Sequence, residues 1–246
     1  MLALALETSA RPGSVAVGRA AAGGGLQVLT RHLDADAGHA RDLLPAAAEL
    51  LAELGAHARE VTDVVVDLGP GSYTGLRVGV ASALGLAVGP RPPRLVGVSA
   101  PEALFAAALR PGEAGTWLVD GRSKAWYLAR AERAADADPA DPTAGLILTR
   151  APEVLAEEDL PALVAGLDAA EHLITDTTSA TRLTDLAPGV AVLAARPPST
   201  DPVDPGVLLR LGLARLASSA EGGGPVAPGD LHPLYLRPFA AKVRKR

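Results

Sequence analysis

A chain of 246 residues, 48% of them apolar, can bury a large core, which excludes a mainly disordered protein. It has no cysteine, which excludes disulfides, thiolate metal ligands and a cysteine nucleophile. Its net charge of −5 is not the basic excess typical of direct nucleic-acid binding. The sequence shows no signal peptide and no apolar run long enough to span a bilayer, so we expect a cytoplasmic protein without membrane contact.

The first half of the chain alternates apolar runs with turn residues in a way that predicts an α/β lobe. Strands are predicted at 1–6, 14–17, 26–29, 64–66 and 95–98, and helices at 43–54, 76–88 and 99–109. Pro45 interrupts the first of these helices, which predicts a kink or a short preceding turn. Ser99 and Glu102 have the spacing of a capping box at the start of the third helix.

The second half repeats this order. Strands are predicted at 116–119, 126–129, 146–148, 173–175 and 190–193, and a helix at 207–218. Strand, acid, turn, hairpin and helices thus occur in sequence once from residue 1 and again from about residue 116. We therefore predict two related α/β lobes, 1–110 and 111–246, with the last helix or tail able to pack back on the first lobe.

A glycine-rich segment follows the predicted strand at 64–66. It is not a P-loop or a dinucleotide-binding fingerprint, because the required lysine and third glycine are missing, and it is not a serine nucleophile elbow. Two interpretations remain open: a tight structural turn, or an anion site at a helix amino terminus. The candidate anion-binding residues are Gly69, Gly71, Ser72, Thr74 and Gly75.

Two acids stand at predicted strand ends. Glu7, followed by Thr8 and Ser9, ends the first strand of one lobe, and Asp120 ends the first strand of the other. Such a pair could hold a Mg²⁺–nucleotide, or each acid could stabilise its own turn. No two of the five histidines have the spacing of a local metal site, so no metal site is predicted.

Five motifs in order resemble one known family. They are ETSARPGSVAV, HARDLLP, GPGSYTGLRVG, DGRSKAWY and PLYLRP, and together they span nearly the whole chain. They resemble the TsaB (YeaZ) family, the dimerization subunits of the bacterial complex that forms N6-threonylcarbamoyladenosine in tRNA. The resemblance implies two RNase H-like lobes of the actin, Hsp70 and sugar-kinase (ASKHA) type, each a mixed sheet flanked by helices.

The chain departs from the family pattern at several positions. Glu7 stands where the family has aspartate, and the hairpin motif keeps only Asp120, Arg122 and Tyr127 of its usual residues. The catalytic relative, TsaD, carries a His-x-x-x-His metal motif, whereas this chain has His39 with Leu43 in the second position. The resemblance therefore implies a non-catalytic subunit without a metal centre.

The implied function is to bind a TsaD-type catalytic subunit and, through it, a TsaE-type ATPase. The resemblance also implies a homodimer when the chain is alone, contact with tRNA only through the complex, and no required cofactor beyond weak ATP/ADP–Mg²⁺ binding. One alternative is an ATP-dependent small-molecule kinase that uses the glycine segment for phosphate and Glu7 with Asp120 for magnesium. A metallopeptidase is a further alternative, and Leu43 argues against it.

The helix predicted at 76–88 has no clearly polar side, so it needs burial on both faces. Small residues recur every fourth position, which predicts a row against which a second helix could pack, unless its own lobe covers that row. The predicted partner-binding residues on this helix and its neighbour are His39, Leu43, Leu44, Ala47, Leu51, Gly75, Leu76, Gly79, Ala83, Leu86 and Ala87.

Overall fold

The computed structural model describes residues 1–34, 39–168, 170–187, 202–218 and 224–237, with backbone alone at residues 39 and 40. The first part of the chain comprises β1 (Leu2–Glu7), β2 (Ser14–Ala20), β3 (Leu26–His32), α1 (His39–Glu53), β4 (Asp63–Asp67), α2 (Tyr73–Leu86), β5 (Arg94–Val98) and α3 (Ala100–Ala108). The second part comprises β6 (Ala114–Asp120), β7 (Ala125–Arg133), β8 (Leu146–Ala156), α4 (Leu160–Ala165), β9 (His172–Ile174), α5 (Thr177–Leu186) and α6 (Pro205–Ala217).

The first sheet has five strands in the order β3-β2-β1-β4-β5. The first three strands are antiparallel, whereas β4 runs parallel to β1 and to β5. Side chains alternate between the two faces of β1, so its leucines pack with α1 and α2 and its alanines with α6. Helix α6 approaches β4 closely, because a β-carbon at Gly212 would lie 2.4 Å from a methyl carbon of Val65.

The second sheet repeats this arrangement in four described strands, in the order β8-β7-β6-β9. Strand β6 is antiparallel to β7 and parallel to β9, as β1 is to β2 and β4. One face packs against α4 and α5 around Trp126, and the other packs against Phe105 and Leu109 of the α3 region. The predicted fold class, two ASKHA-type lobes with mixed sheets, is confirmed.

Most predicted elements are confirmed, with shifted ends. Helix α1 begins at His39 and runs through Pro45, so it is longer than predicted. The capping box before α3 is present, since the Ser99 hydroxyl and amide both donate to the Glu102 carboxylate. Strand β8 is eleven residues long because pairing with β7 extends it through a stretch that lacks an apolar run.

Two short helices, α4 and α5, were not predicted, because each buries only two residues and neither carries a long apolar stripe. The strand predicted at 190–193 lies outside the described residues. Among the helices of the described ranges, none is long and apolar enough to cross a bilayer.

Candidate functional site

Two carboxyl groups end neighbouring parallel strands of the first sheet. Leu6 of β1 lies opposite Val66 of β4, so the next residues, Glu7 and Asp67, stand side by side at the carboxyl edge. Both side chains are shielded from solvent, with residue exposures of 1% and 0%. The two acids therefore lie in an environment shielded from solvent, where an ionised group is costly unless it is paired or hydrogen-bonded.

The donors around the two acids are unequal. Glu7 Oε1 accepts from the Ser9 hydroxyl (3.0 Å) and the Ala10 amide (2.9 Å), and Oε2 accepts from the Ser14 hydroxyl (3.2 Å). Asp67 Oδ1 accepts from the Gly69 amide at 2.7 Å. Asp67 Oδ2 has no hydrogen-bond partner among the described residues.

This environment raises both pKa values. Burial raises the pKa of Glu7 above its ordinary value, although its three donors oppose the shift. Burial, together with the repulsion from Glu7, raises the pKa of Asp67 to about 8. Two carboxylates in one dry site cannot both ionise without a large cost, which favours the protonated form of one of them.

The glycine segment after β4 packs tightly against the residues after β1. The Ser72 amide donates to the Ser9 carbonyl oxygen at 2.8 Å. A β-carbon at Gly71 would lie 2.5 Å from that oxygen, and one at Gly75 only 2.0 Å from the Thr8 carbonyl oxygen. These glycines therefore serve a close approach of two backbone segments.

This packing bears on the two interpretations of the segment. The Ser72 side chain accepts from the Gly75 amide at 3.2 Å and caps α2, so it uses one of the helix's free donors internally. The carbonyl oxygens of Thr8 and Ser9 face the segment and would repel a phosphate. Thr74 is exposed, and no described contact assigns it a role. The contacts favour a structural turn over an anion site.

The second predicted acid, Asp120, has its own counter-ion. Arg182 Nη1 lies 2.6 Å from Asp120 Oδ2, and the Arg122 amide donates to Oδ1 at 2.7 Å. Arg182 also pairs with Glu157, and its guanidinium lies 5.7 Å from the ring centroid of Trp126. Among the described residues, Glu7 and Asp120 share no bonding partner.

The turn between β6 and β7 has an unusual backbone. Arg122, Ser123 and Lys124 have φ angles of 64°, 52° and 59°, and none of them is glycine. A left-handed conformation costs an L-residue roughly 1–2 kcal/mol. Arg237 Nη1 donates to the carbonyl oxygens of Arg122 (2.8 Å) and Gly121 (3.3 Å), which supports the turn from outside.

The predicted row of small residues on α2 does not face outward. Gly75, Gly79 and Ala83 are buried against their own lobe. A β-carbon at Gly79 would lie 2.4 Å from the Thr8 hydroxyl oxygen. Treating these three residues as a groove for a second chain is therefore wrong, because they let α2 approach the end of β1.

The remaining predicted partner-binding residues divide between core and surface. Four belong to the interior of the first lobe: Leu43, Ala47, Leu51 and Leu76. Leu86 and Ala87 are half-buried, and the side chain of His39 lies outside the described residues. Leu44 is 42% exposed, and Tyr73 and Val88 are exposed at the two ends of α2. We call Leu44, Tyr73 and Val88 the α1–α2 surface.

No cluster of three or more histidine, aspartate or glutamate side chains that could hold a metal ion occurs within the described ranges. Sequence reasoning missed Asp67 and Arg182. Asp67 follows three valines just as Glu7 follows its own apolar strand. Predicting these two strands as parallel neighbours would have placed Asp67 beside Glu7. Arg182 could not be found, because α5 was not predicted.

Two lobes with this strand order and acids at the strand ends define an ASKHA-type protein. The profile of the family described as TsaD: tRNA N6-adenosine threonylcarbamoyltransferase matches residues 33–171, more than half of the chain. The chain therefore belongs to the TsaD family. No curated protein sequence matches it significantly.

Two solved structures from Pseudomonas aeruginosa share its fold. YeaZ is 24% identical with a TM-score of 0.71, and a protein described as similar to peptidase YEAZ is 23% identical with a TM-score of 0.72. Each comparison covers 96% of this chain and 99% of the other. Together with the family match, they confirm the TsaB-like (YeaZ-like) character indicated by the motifs.

Proposed function

We propose that this chain is a non-catalytic subunit of a tRNA-modifying complex. It binds a TsaD-type catalytic subunit, with a TsaE-type ATPase, and supports transfer of a threonylcarbamoyl group to the adenosine next to the anticodon. In this proposal tRNA is held by the complex, and the chain alone forms a homodimer. The observation that carries the proposal is that the acids at the ends of β1, β4 and β6 are buried or paired by other residues of the same chain.

In the first lobe, Glu7 and Asp67 are sealed by the glycine segment and the turn after β1. In the second lobe, Asp120 is neutralised by Arg182. None of these three acids is then available to hold Mg²⁺ or to move a substrate proton, so in this proposal the reacting groups come from another subunit. The same closure disfavours the kinase alternative and supports weak ATP/ADP–Mg²⁺ binding at most.

The α1–α2 surface supports binding of a partner. Val88, two residues beyond the carboxyl end of α2, is 82% exposed. Leu44 is exposed on α1, and Tyr73 is exposed at the amino end of α2. A partner that covers these exposed apolar side chains would remove them from water, which favours association. The partner site in this proposal is this exposed side of the helices rather than the small-residue row.

The test is reconstitution of tRNA modification. The purified chain is incubated with threonylcarbamoyl-AMP and tRNA, with and without the TsaD-type subunit of the same cell, and modified adenosine is quantified. We expect no product from the chain alone and product once the TsaD-type subunit is present. An Asp67→Asn variant, which removes an ionisable group from the first lobe, should support modification as well as the unaltered chain. Product from the chain alone would contradict the non-catalytic assignment.

A further inference from the structure

The described segment 224–237 runs along the first lobe before it reaches the second. The Val226 amide donates to the Leu95 carbonyl oxygen at 2.7 Å, which adds a bridge to the edge of β5. Leu231 is 1% exposed and belongs to the core shared with α1 and α2. The Leu234 amide donates to the carbonyl oxygen of Leu68 at 2.8 Å, just beyond the end of β4.

The next three residues join the two lobes. The ring of Tyr235 lies 5.2 Å from that of Tyr73, the first residue of α2, and the guanidinium of Arg77 lies 5.5 Å from the Tyr73 ring. Arg237 then donates to the turn between β6 and β7 in the second lobe. Within four residues the chain therefore contacts the amino end of α2 and a turn of the other sheet.

The turn that Arg237 contacts has a strained backbone. Its three consecutive left-handed residues, Arg122 to Lys124, are unfavourable for non-glycine side chains, so contacts from outside must maintain them. Arg237 supplies two hydrogen bonds to it, and the Glu157 amide supplies a third to the Lys124 carbonyl oxygen at 3.1 Å. Loss of one of these hydrogen bonds would leave the backbone strain of the turn less opposed.

We propose that residues 234–237 form a latch that couples the amino end of α2 to the β6–β7 turn. Tyr235, packed on Tyr73, positions Arg237, and Arg237 holds the turn in its left-handed conformation. A disturbance at either end therefore loosens the other end. The coupling lies within one chain and does not depend on the proposed function.

Hydrogen–deuterium exchange of the full chain tests the latch at both ends. The reporters are the hydrogen-bonded amides of Ser72 and Gly75 at α2 and of Gly121 and Ala125 at the turn. Tyr235→Ala alters the α2 end, and we expect it to speed exchange of the turn amides by about tenfold or more. Arg237→Ala alters the turn end, and we expect faster exchange of the α2 amides.

Matched variants separate coupling from general loosening. Tyr235→Phe keeps the ring and should leave both ends unchanged, and so should Arg59→Ala, which removes an exposed arginine near the opposite end of β4. Amides of β1 report global stability and should exchange at the unaltered rate in every variant. If Tyr235→Ala changes only the α2 amides and Arg237→Ala changes only the turn amides, the two contacts are independent and the proposal is wrong.

Discussion

The carboxyl group of Asp67 stands beside that of Glu7, because the two acids end adjacent parallel strands, and both side chains are buried. Three donors surround Glu7, whereas one oxygen of Asp67 has no partner among the described residues. A proton shared by the pair would satisfy that oxygen. Burial and mutual repulsion therefore favour the protonated form at this pair of strand ends.

This pair should make the chain less stable as pH rises. The pKa of Asp67 is raised from 3.8 to about 8, so between these pH values the folded state holds a proton that the unfolded state releases. The resulting stabilisation is complete below about pH 4 and decreases as the pH rises to about 8. One proton gives a slope on the order of 1 kcal/mol per pH unit. The free energy of unfolding is measured by urea denaturation at several pH values across this range. We expect it to fall less steeply with pH for Asp67→Asn than for the unaltered chain. Glu158→Gln, which changes an exposed acid, should show the same pH dependence as the unaltered chain. The same pH dependence of the unfolding free energy in all three proteins would contradict a raised pKa at Asp67.

Two glycines of α2 should respond oppositely to the same substitution. Gly75→Ala would place a methyl group 2.0 Å from the Thr8 carbonyl oxygen, and overpacking of this kind costs roughly 1–3 kcal/mol. Gly85→Ala meets nothing within 4 Å and should stabilise the helix by up to about 1 kcal/mol. Thermal melts of the two variants should therefore shift in opposite directions. A neutral Gly75→Ala would mean that the close approach of α2 to β1 is unnecessary.

The partner-binding proposal predicts different effects for outward and inward residues. Leu44→Arg places a charge on the exposed side of α1 and should abolish co-elution with the TsaD-type subunit while the melting temperature stays unchanged. Ala83→Arg buries a charge in the core and should destabilise the fold by several kcal/mol. Ile147→Arg, an exposed apolar position on β8, is the control that should retain co-elution. Co-elution of Leu44→Arg at the unaltered level would remove this surface from consideration.

Nucleotide binding should be weak. The donors around Glu7 and the guanidinium beside Asp120 leave no open carboxylate for Mg²⁺ in either lobe's first strand. We expect a dissociation constant for ATP–Mg²⁺ no tighter than about 10 μM, or roughly −7 kcal/mol. Calorimetric titration checks this value, and nanomolar binding would revive the kinase alternative.

Local sequence signals predicted the elements whose burial is encoded along the chain. The valine run in β4 and the alternating leucines of β1 mark central strands, and Ser99 with Glu102 marks the start of α3. Prediction failed where pairing or short helices decided the outcome. Strand β8 owes its length to β7, and α4 and α5 bury too little to show an apolar stripe.

For the candidate site, the sequence by itself determined that acids follow apolar strands and that glycines follow β4, because those are properties of neighbouring residues. Only the tertiary structure decided which acids meet: the parallel register brings Asp67 to Glu7, and α5 brings Arg182 to Asp120. It also decided which way α2 faces. The sequence of that helix has no clearly polar side, and the close approach of Gly75 to the Thr8 carbonyl oxygen shows which side packs inward. Such pairings depend on contacts between residues distant in the chain, which no local pattern records.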